Sequence, residues 1–207
     1  MITVIAGVNG AGKSSVAGMY LRHLGTTYYN PDEAARLLLV DNLGLSVEEA
    51  TSRARQTGYQ YLNAAIDLDD DFAFETTLGG NKIFESLMRA VSLHRQVRLF
   101  CVGLESPELH IDRVKHRVQN GGHHIDEAKI REQWENSRAN IAQLIAYCRS
   151  INVFDNSLPL KDDKPQTRCL FKMEQGMFLK LPIPDMPHWA KPLAASAIKR
   201  CLAAHGH

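Results

Sequence analysis

Residues 7–14 of this chain read GVNGAGKS and fit the pattern G-x-x-x-x-G-K-[ST]. In that pattern the backbone N–H groups of a glycine-rich loop surround phosphate oxygens, the lysine reaches the outer phosphates, and the hydroxyl ligates Mg²⁺. We therefore predict a nucleoside triphosphate site with ATP and Mg²⁺ as cofactors, Lys13 as a catalytic residue and Ser14 as the metal ligand. The residues predicted to bind the nucleotide are Gly7, Val8, Asn9, Gly10, Ala11, Gly12, Lys13, Ser14 and Ser15.

The segments on both sides of this loop suit a nucleotide site. Residues 2–6 form a β-branched run typical of a buried strand. Residues 15–21 are compatible with a helix whose N-terminal N–H groups and dipole face the anion. The rival dinucleotide pattern G-x-G-x-x-G has Ser15 where its third glycine should be.

A second polar group follows Tyr29, in the order Asn30, Pro31, Asp32 and Glu33. These residue types suit the start of a helix, because asparagine caps it, proline fits its first position and acids favour its first turn. They also suit a kinase site, in which Asp32 accepts the proton of an attacking hydroxyl and Asn30 binds the substrate. Both interpretations stay open.

A third group ends the apolar run that starts at Phe72. Glu75, Thr76 and Thr77 place a carboxylate and two hydroxyls at the carboxyl edge of the predicted sheet, where α/β folds bind ligands. We predict that they bind the substrate, by holding a metal-bound water or a sugar hydroxyl; the alternative is a polar turn into Gly79-Gly80. The guanine signature N-K-x-D of GTPases is missing from the sequence.

The fourth group is basic. Arg113 and Arg117 are four residues apart and share a helix face. The Gly121-Gly122 corner then leads to a second helix carrying Arg131. Two helices joined at a glycine corner predict a lid that brings these three arginines to a transferring phosphoryl group; a solvated basic face is the alternative. The neighbouring histidines lack the cysteine partners or H-E-x-x-H spacing of a metal site; they are His110, His116, His123 and His124.

The elements around these groups alternate between strands and helices. Strand-like runs recur at residues 2–6, 27–29, 72–74, 97–103 and 151–154. The alternation predicts an α/β P-loop NTPase fold with a parallel five-stranded sheet and helices on both faces.

Local signals define the predicted helices and the C-terminal segment. A capping box at Ser46 opens a helix to about residue 66, and Ser106-Pro107 opens one to residue 119. A long amphipathic helix covers residues 126–149. Residues 168–173 and 177–181 predict a β-hairpin, followed by a helix over 191–204. We divide the chain into a kinase core at 1–157, with its lid at about 106–149, and an extension of the same domain at 158–207, which could be a lid, an edge extension or a docking surface.

Composition restricts the partners and the compartment. The chain has 207 residues, a net charge of +1, 44% hydrophobic residues and 23% charged residues. This near-neutral balance is not that of a general nucleic-acid coat. No leader and no apolar run of about 18 residues is evident, so we expect no membrane contact. The four cysteines lack C-x-x-C spacing, which favours a reduced, cytoplasmic protein.

Together the motifs resemble those of the zeta toxin family of small P-loop kinases, from Gly7 to about Asn156-Ser157. The segments that carry the resemblance are GVNGAGKSS, YYNPDEAA, FETTLGG, VGLESPELHIDRVKHRVQNGGH and I-R-x-x-W-x-x-S-x-x-N-I. The resemblance implies a fold similar to nucleotide and shikimate kinases. It also implies phosphorylation of UDP-N-acetylglucosamine on its sugar 3′-hydroxyl, and an antitoxin as a possible protein partner.

The resemblance also implies residue roles. Lys13 and Ser14 would hold ATP phosphates and Mg²⁺, and Asp32 would be the general base. Glu75 and Thr76 would lie in the substrate pocket. The residues implied to bind the γ-phosphoryl group are Arg117 and Arg131, with Arg113 as a third, and those implied to lie near the nucleotide base are Asp155, Asn156 and Ser157.

Two other functions remain open at this point. A nucleotide-dependent switch or ATPase would turn over ATP without an acceptor. An RNA or polynucleotide kinase would need a basic groove with stacking aromatic residues, for which Tyr28, Tyr29, Tyr59 and Tyr61 are the clustered candidates. We expect a small-molecule acceptor rather than nucleic acid.

Overall fold

The strands join in one six-stranded sheet in the computed structural model, which describes residues 1–23, 25–119, 122, 124–159 and 166–205. The strand order is β2-β1-β3-β4-β5-β6, with β1 to β4 parallel and β5 and β6 antiparallel. The strands are β1 (Ile2–Ala6), β2 (Phe72–Thr76), β3 (Val97–Gly103), β4 (Ser150–Asp155), β5 (Arg168–Glu174) and β6 (Met177–Lys180).

The predicted α/β P-loop fold class is confirmed, but the predicted strand at residues 27–29 is wrong. Tyr29 forms only an isolated parallel bridge to Phe74. Its N–H donates to the Ala73 carbonyl at 2.8 Å. The ladder stops there because Asn30 already caps the next helix and Pro31 has no N–H to donate. The parallel part of the described sheet therefore has four strands rather than five.

The helices begin close to the predicted residues. Ser46 forms the capping box with Glu49, and the fifth helix begins at Pro107. The predicted helix over 126–149 ends earlier, at Ile145. Gly121 of the predicted glycine corner lies outside the described residues, and so does His123. The helices are a π-helical turn (Ser14–Gly18), α1 (Met19–His23), α2 (Pro31–Asp41), α3 (Val47–Asp67), α4 (Asn81–Ser92), α5 (Pro107–Gln119), α6 (Glu127–Ile145), a 3₁₀ turn (His188–Ala190) and α7 (Lys191–His205).

Helices pack on both faces of the sheet, as predicted. Successive side chains of β1 point to opposite faces of the sheet. Val4 therefore packs in a large core with α3, α4, α6 and α7, and Ile5 packs in a smaller core with α1. The loop that follows β1 is therefore held between two packed layers. None of the described helices is both long and apolar enough to cross a membrane.

The C-terminal segment extends the edge of the sheet. Strand β5 pairs antiparallel with β4, and β6 completes the predicted hairpin. The Trp189 ring lies against Gly103 at the end of β3, and its Nε1–H donates to the buried Asp155 carboxylate at 3.1 Å. The extension thus reaches the strand ends that border the phosphate loop.

We expect Gly103→Ala to lower the free energy of unfolding by about 1–3 kcal/mol, because its methyl group would collide with the Trp189 ring. The matched control is Gly44→Ala, where a methyl group meets nothing within 4 Å and the change should stay within about 0.5 kcal/mol. Urea unfolding of both variants measures the difference. Equal effects would contradict the packing of the C-terminal segment on β3.

Candidate active site

The phosphate loop lies between β1 and the π-helical turn, and its glycines have backbone conformations that other residues rarely adopt. Gly7 has φ +152° and Gly12 has φ +84°. A Cβ on Gly12 would lie 2.5 Å from Asn156 Nδ2, and one on Gly7 would meet the Val102 carbonyl. Both glycines are therefore required by backbone conformation and by close packing.

The loop offers free N–H groups to an anion. Within the described part of the chain, the amides of Gly10, Gly12 and Lys13 have no hydrogen-bond partner. The Ala11 amide is used internally, since it donates to the Val8 carbonyl at 3.1 Å. Unpaired amides at the start of a helix form an anion site.

Four polar side chains meet at the end of the loop. Lys13 Nζ lies 3.5 Å from Glu75 Oε1, and both side chains are less than 10% exposed. Ser14 Oγ donates to Glu75 Oε2 at 2.8 Å, and Asn30 Nδ2 approaches Ser14 Oγ at 3.4 Å. The structure therefore brings together Lys13, Ser14, Asn30 and Glu75, which come from three separate sequence motifs.

The helix-cap interpretation of the Asp32 motif is confirmed, and its kinase interpretation stays a prediction. Asn30 Oδ1 accepts from the Asp32 N–H at 2.9 Å and the Glu33 N–H at 3.4 Å, so the predicted helix cap is present. This cap uses only the backbone of Asp32. Its half-exposed carboxylate lies 3.5 Å from Arg117 Nη1, so a carboxylate and a guanidinium face each other at the mouth of the site.

A cleft of about 310 Å³ adjoins these residues. Lys13, Asp32 and Glu75 line it together with Thr76 and Thr77. The Thr76 hydroxyl accepts from the Leu78 N–H at 3.0 Å and shapes the turn after β2. A neighbouring cleft of about 800 Å³ shares Asn30 and Asp32 and is lined by Ser14 and Arg117. Of the residues predicted to bind the nucleotide, Asn9 and Lys13 line the first cleft and Ser14 lines the second.

The three predicted lid arginines lie in different places. Arg117 faces Asp32, whereas Arg113 Nη2 donates to the Asn156 carbonyl at 2.7 Å and the Leu158 carbonyl at 3.3 Å. Burial lowers the pKa of Arg113 from its usual value. Arg131 donates to Glu108 at 2.5 Å, and both side chains are about half exposed. Arg131 must therefore leave Glu108 to reach a phosphoryl group.

Sequence reasoning missed two residues that hold the loop. His110, only 1% exposed, contacts the Asn9 carbonyl through Nδ1 at 2.8 Å. Gln133 Oε1 accepts from Asn9 Nδ2 at 3.0 Å. The available signal was a histidine on the buried face of α5, beside Ile111 and one turn before Val114. Burial lowers the pKa of His110 to about 4, and the charges of nearby Lys13 and Arg113 act in the same direction.

Comparison with known proteins identifies the family of this chain. The family model of Zeta toxin matches residues 1–162. The chain belongs to the Zeta toxin family. An uncharacterized protein of Haemophilus influenzae is 26% identical over 133 residues, which cover 62% of this chain and 88% of that protein.

Two solved structures share the zeta toxin fold of this chain. The structure of AvrRxo1-ORF1:-ORF2 with ATP aligns with a TM-score of 0.65 and 14% identity, covering all of this chain and 80% of the other. The PezAT toxin–antitoxin system of Streptococcus pneumoniae aligns with a TM-score of 0.54 and 15% identity, covering all of this chain and 88% of the other. At these identities the similarity establishes the fold.

We expect the buried Lys13–Glu75 pair of this zeta toxin relative to be strongly coupled. Lys13→Met or Glu75→Gln alone leaves one buried charge without its partner, and each should lower the free energy of unfolding by about 3 kcal/mol. The double variant should lose clearly less than the sum. The same cycle on the exposed Lys115–Glu127 pair is the control, with an expected coupling below about 1 kcal/mol.

We also expect buried His110 to make stability depend on pH. Its pKa is lowered from 6.5 to about 4 in the folded chain, so the unfolded chain binds more protons between these values. Stability should therefore rise with pH through this window, by about 3 kcal/mol from this residue, and become constant above it. His110→Asn should remove that part of the slope in urea unfolding, whereas exposed His124→Gln should not. An unchanged slope in His110→Asn would contradict burial of a neutral imidazole.

Proposed function

We propose that this protein is an ATP- and Mg²⁺-dependent phosphotransferase that transfers the γ-phosphoryl group of ATP to a hydroxyl of a nucleotide sugar such as UDP-N-acetylglucosamine. One observation carries the proposal: Asp32, which is paired with Arg117, lines two neighbouring clefts, of which one is also lined by Lys13 and the other by Ser14 and Arg117. Phosphoryl transfer needs a phosphate loop and a proton acceptor in one site. The choice of a nucleotide sugar rests on the family resemblance.

The loop residues fit both proposed cofactors. The unpaired amides of Gly10, Gly12 and Lys13 suit triphosphate oxygens. Mg²⁺ prefers oxygen ligands, and the Ser14 hydroxyl and the Glu75 carboxylate lie 2.8 Å apart at the end of the loop. When bound, Mg²⁺ neutralises charge on the phosphate oxygens.

The protein's own residues supply the remaining steps. The acceptor hydroxyl transfers its proton to Asp32, its oxygen forms a bond to the γ-phosphorus, and the bond between that phosphorus and the leaving oxygen of ADP breaks. Lys13 and Arg117 offset negative charge on the transferring group. Arg117 already lies 3.5 Å from Asp32, so one short segment of α5 brings positive charge to the base.

The residues that line the cleft of about 310 Å³ support an anionic acceptor with a sugar hydroxyl. Glu75, Thr76 and Thr77 line this cleft and offer hydrogen bonds to hydroxyl groups. Arg55 and Lys82 line both this cleft and an adjoining one of about 620 Å³. These cations suit the diphosphate of a nucleotide sugar.

A protein partner is also part of the proposal. The Streptococcus pneumoniae neighbour is described as a toxin–antitoxin system. We propose that an antitoxin binds this chain as well, and copurification with the product of an adjacent coding sequence tests this.

We expect Asp32→Asn to reduce phosphate transfer from labelled ATP to UDP-N-acetylglucosamine by at least about 100-fold, because the proton acceptor is lost. Lys13→Met should abolish transfer through loss of nucleotide binding. Glu33→Gln is the matched control, since it removes the neighbouring acid of the same helical turn and should retain transfer.

The assay also includes simple sugars and short RNAs as acceptors. Labelling of another acceptor, lost in Asp32→Asn, would keep the kinase and replace its substrate. ATP hydrolysis without any labelled acceptor, equal in the parent and in Asp32→Asn, would overturn the kinase in favour of a nucleotide-dependent switch.

A further inference from the structure

Two carbonyl groups of the phosphate loop are held by side chains that lie far away in the sequence. His110 contacts the Asn9 carbonyl at 2.8 Å through Nδ1. Asn156 donates from Nδ2 to the Ala11 carbonyl at 3.0 Å. Both side chains are almost completely buried, with 1% and 3% of their surface exposed.

These contacts set the direction of two loop amides. In a trans peptide unit the C=O and the following N–H point in opposite directions. Holding the Asn9 carbonyl therefore directs the Gly10 N–H away from His110, and holding the Ala11 carbonyl directs the Gly12 N–H away from Asn156. The Gly10 and Gly12 amides have no hydrogen-bond partner in the described part of the chain.

We infer that His110 and Asn156 are positioning residues for nucleotide binding: each orients one peptide unit of the loop so that its N–H is ready to bind a phosphate oxygen. The inference rests on the proposed function, because it assigns these two amides to the triphosphate. Neither side chain needs to touch the nucleotide. Their effect is to orient the Gly10 and Gly12 N–H groups before the anion binds, which lowers the free-energy cost of ordering the loop on binding.

The chemistry of each contact identifies the donor. A carbonyl oxygen only accepts, so His110 Nδ1 must carry a proton. The neutral imidazole form is maintained by burial, which lowers its pKa to about 4. For Asn156, the Thr167 hydroxyl donates to Oδ1 at 3.3 Å, which leaves Nδ2 as the donor toward the loop.

The backbones of both positioning residues are also held close to the loop. A Cβ on Gly10 would lie 2.8 Å from the His110 carbonyl, so α5 touches the loop at this point. The backbone of Asn156 is held by Arg113, whose Nη2 donates to its carbonyl at 2.7 Å. This contact gives Arg113 a structural role at the loop.

The test measures binding of a non-hydrolysable ATP analogue with Mg²⁺ by calorimetry, at a temperature where every variant is folded. His110→Phe keeps an aromatic ring and loses the donor, and it should weaken binding about tenfold. His110→Asn offers an amide N–H close to the position of Nδ1 and should bind within about threefold of the parent. Asn156→Leu should weaken binding to a similar extent as His110→Phe.

The matched control is Ser137→Ala. Ser137 is 2% exposed and lines the same small cavity of about 20 Å³ as His110, but it belongs to α6 and, within the described residues, makes no side-chain hydrogen bond to the loop. Its loss should leave the affinity unchanged. Melting temperatures of all variants separate lost stability from lost binding.

The outcomes distinguish the two proposals. If the parent does not bind the analogue, the proposed nucleotide site is wrong and the positioning role falls with it. If the parent binds and His110→Phe binds equally well, the proposed function stands and the positioning role is wrong. Failure of His110→Asn to restore binding would also overturn it, because the ring would then matter for packing rather than for its N–H.

Discussion

The buried positive charge of Lys13 is the constraint on which the site depends. Its side chain is only 7% exposed, and an ammonium group removed from water needs a negative partner. Glu75 supplies that partner because parallel pairing of β1 with β2 places it opposite Ile5, just before the loop. The register of two neighbouring strands therefore determines where charge is balanced, and Ser14 and Asn30 join the same group through hydrogen bonds.

The loop is also supported from elements that lie far along the chain. Helix α5 reaches it through His110, helix α6 through Gln133, and the end of β4 through Asn156. The C-terminal extension holds the residue before Asn156, since Trp189 donates to the buried Asp155 carboxylate. An extension that begins as an edge hairpin thus contributes to the shape of a site formed near the N-terminus.

Much of the fold could be predicted because its signals are local. The capping box at Ser46 and the Ser106-Pro107 start determined two helix beginnings within a few residues. The β-branched run at residues 2–6 and the strand-like run at residues 97–103 predicted β1 and β3 for the same reason. The strand predicted at Tyr29 was wrong because residue type indicated an extended backbone there, while Pro31 prevented the ladder from continuing. The orientation of the lid arginines could not be predicted from the sequence. Arg131 pairs with Glu108 and Arg113 donates to the Asn156 carbonyl, and both partners lie elsewhere in the sequence.

By itself the sequence determined the phosphate loop, because its glycine conformations and its place before a helix are encoded within about a dozen residues. It also indicated Glu75 as an acid at the end of a strand and Asp32 as an acid in the first turn of a helix. Only the tertiary structure decided that Glu75 pairs with Lys13, that Arg117 rather than Arg113 or Arg131 faces Asp32, and that His110 and Asn156 hold the loop. The last two contacts join residues 101 and 145 positions apart, and such pairs depend on how layers pack rather than on any local pattern.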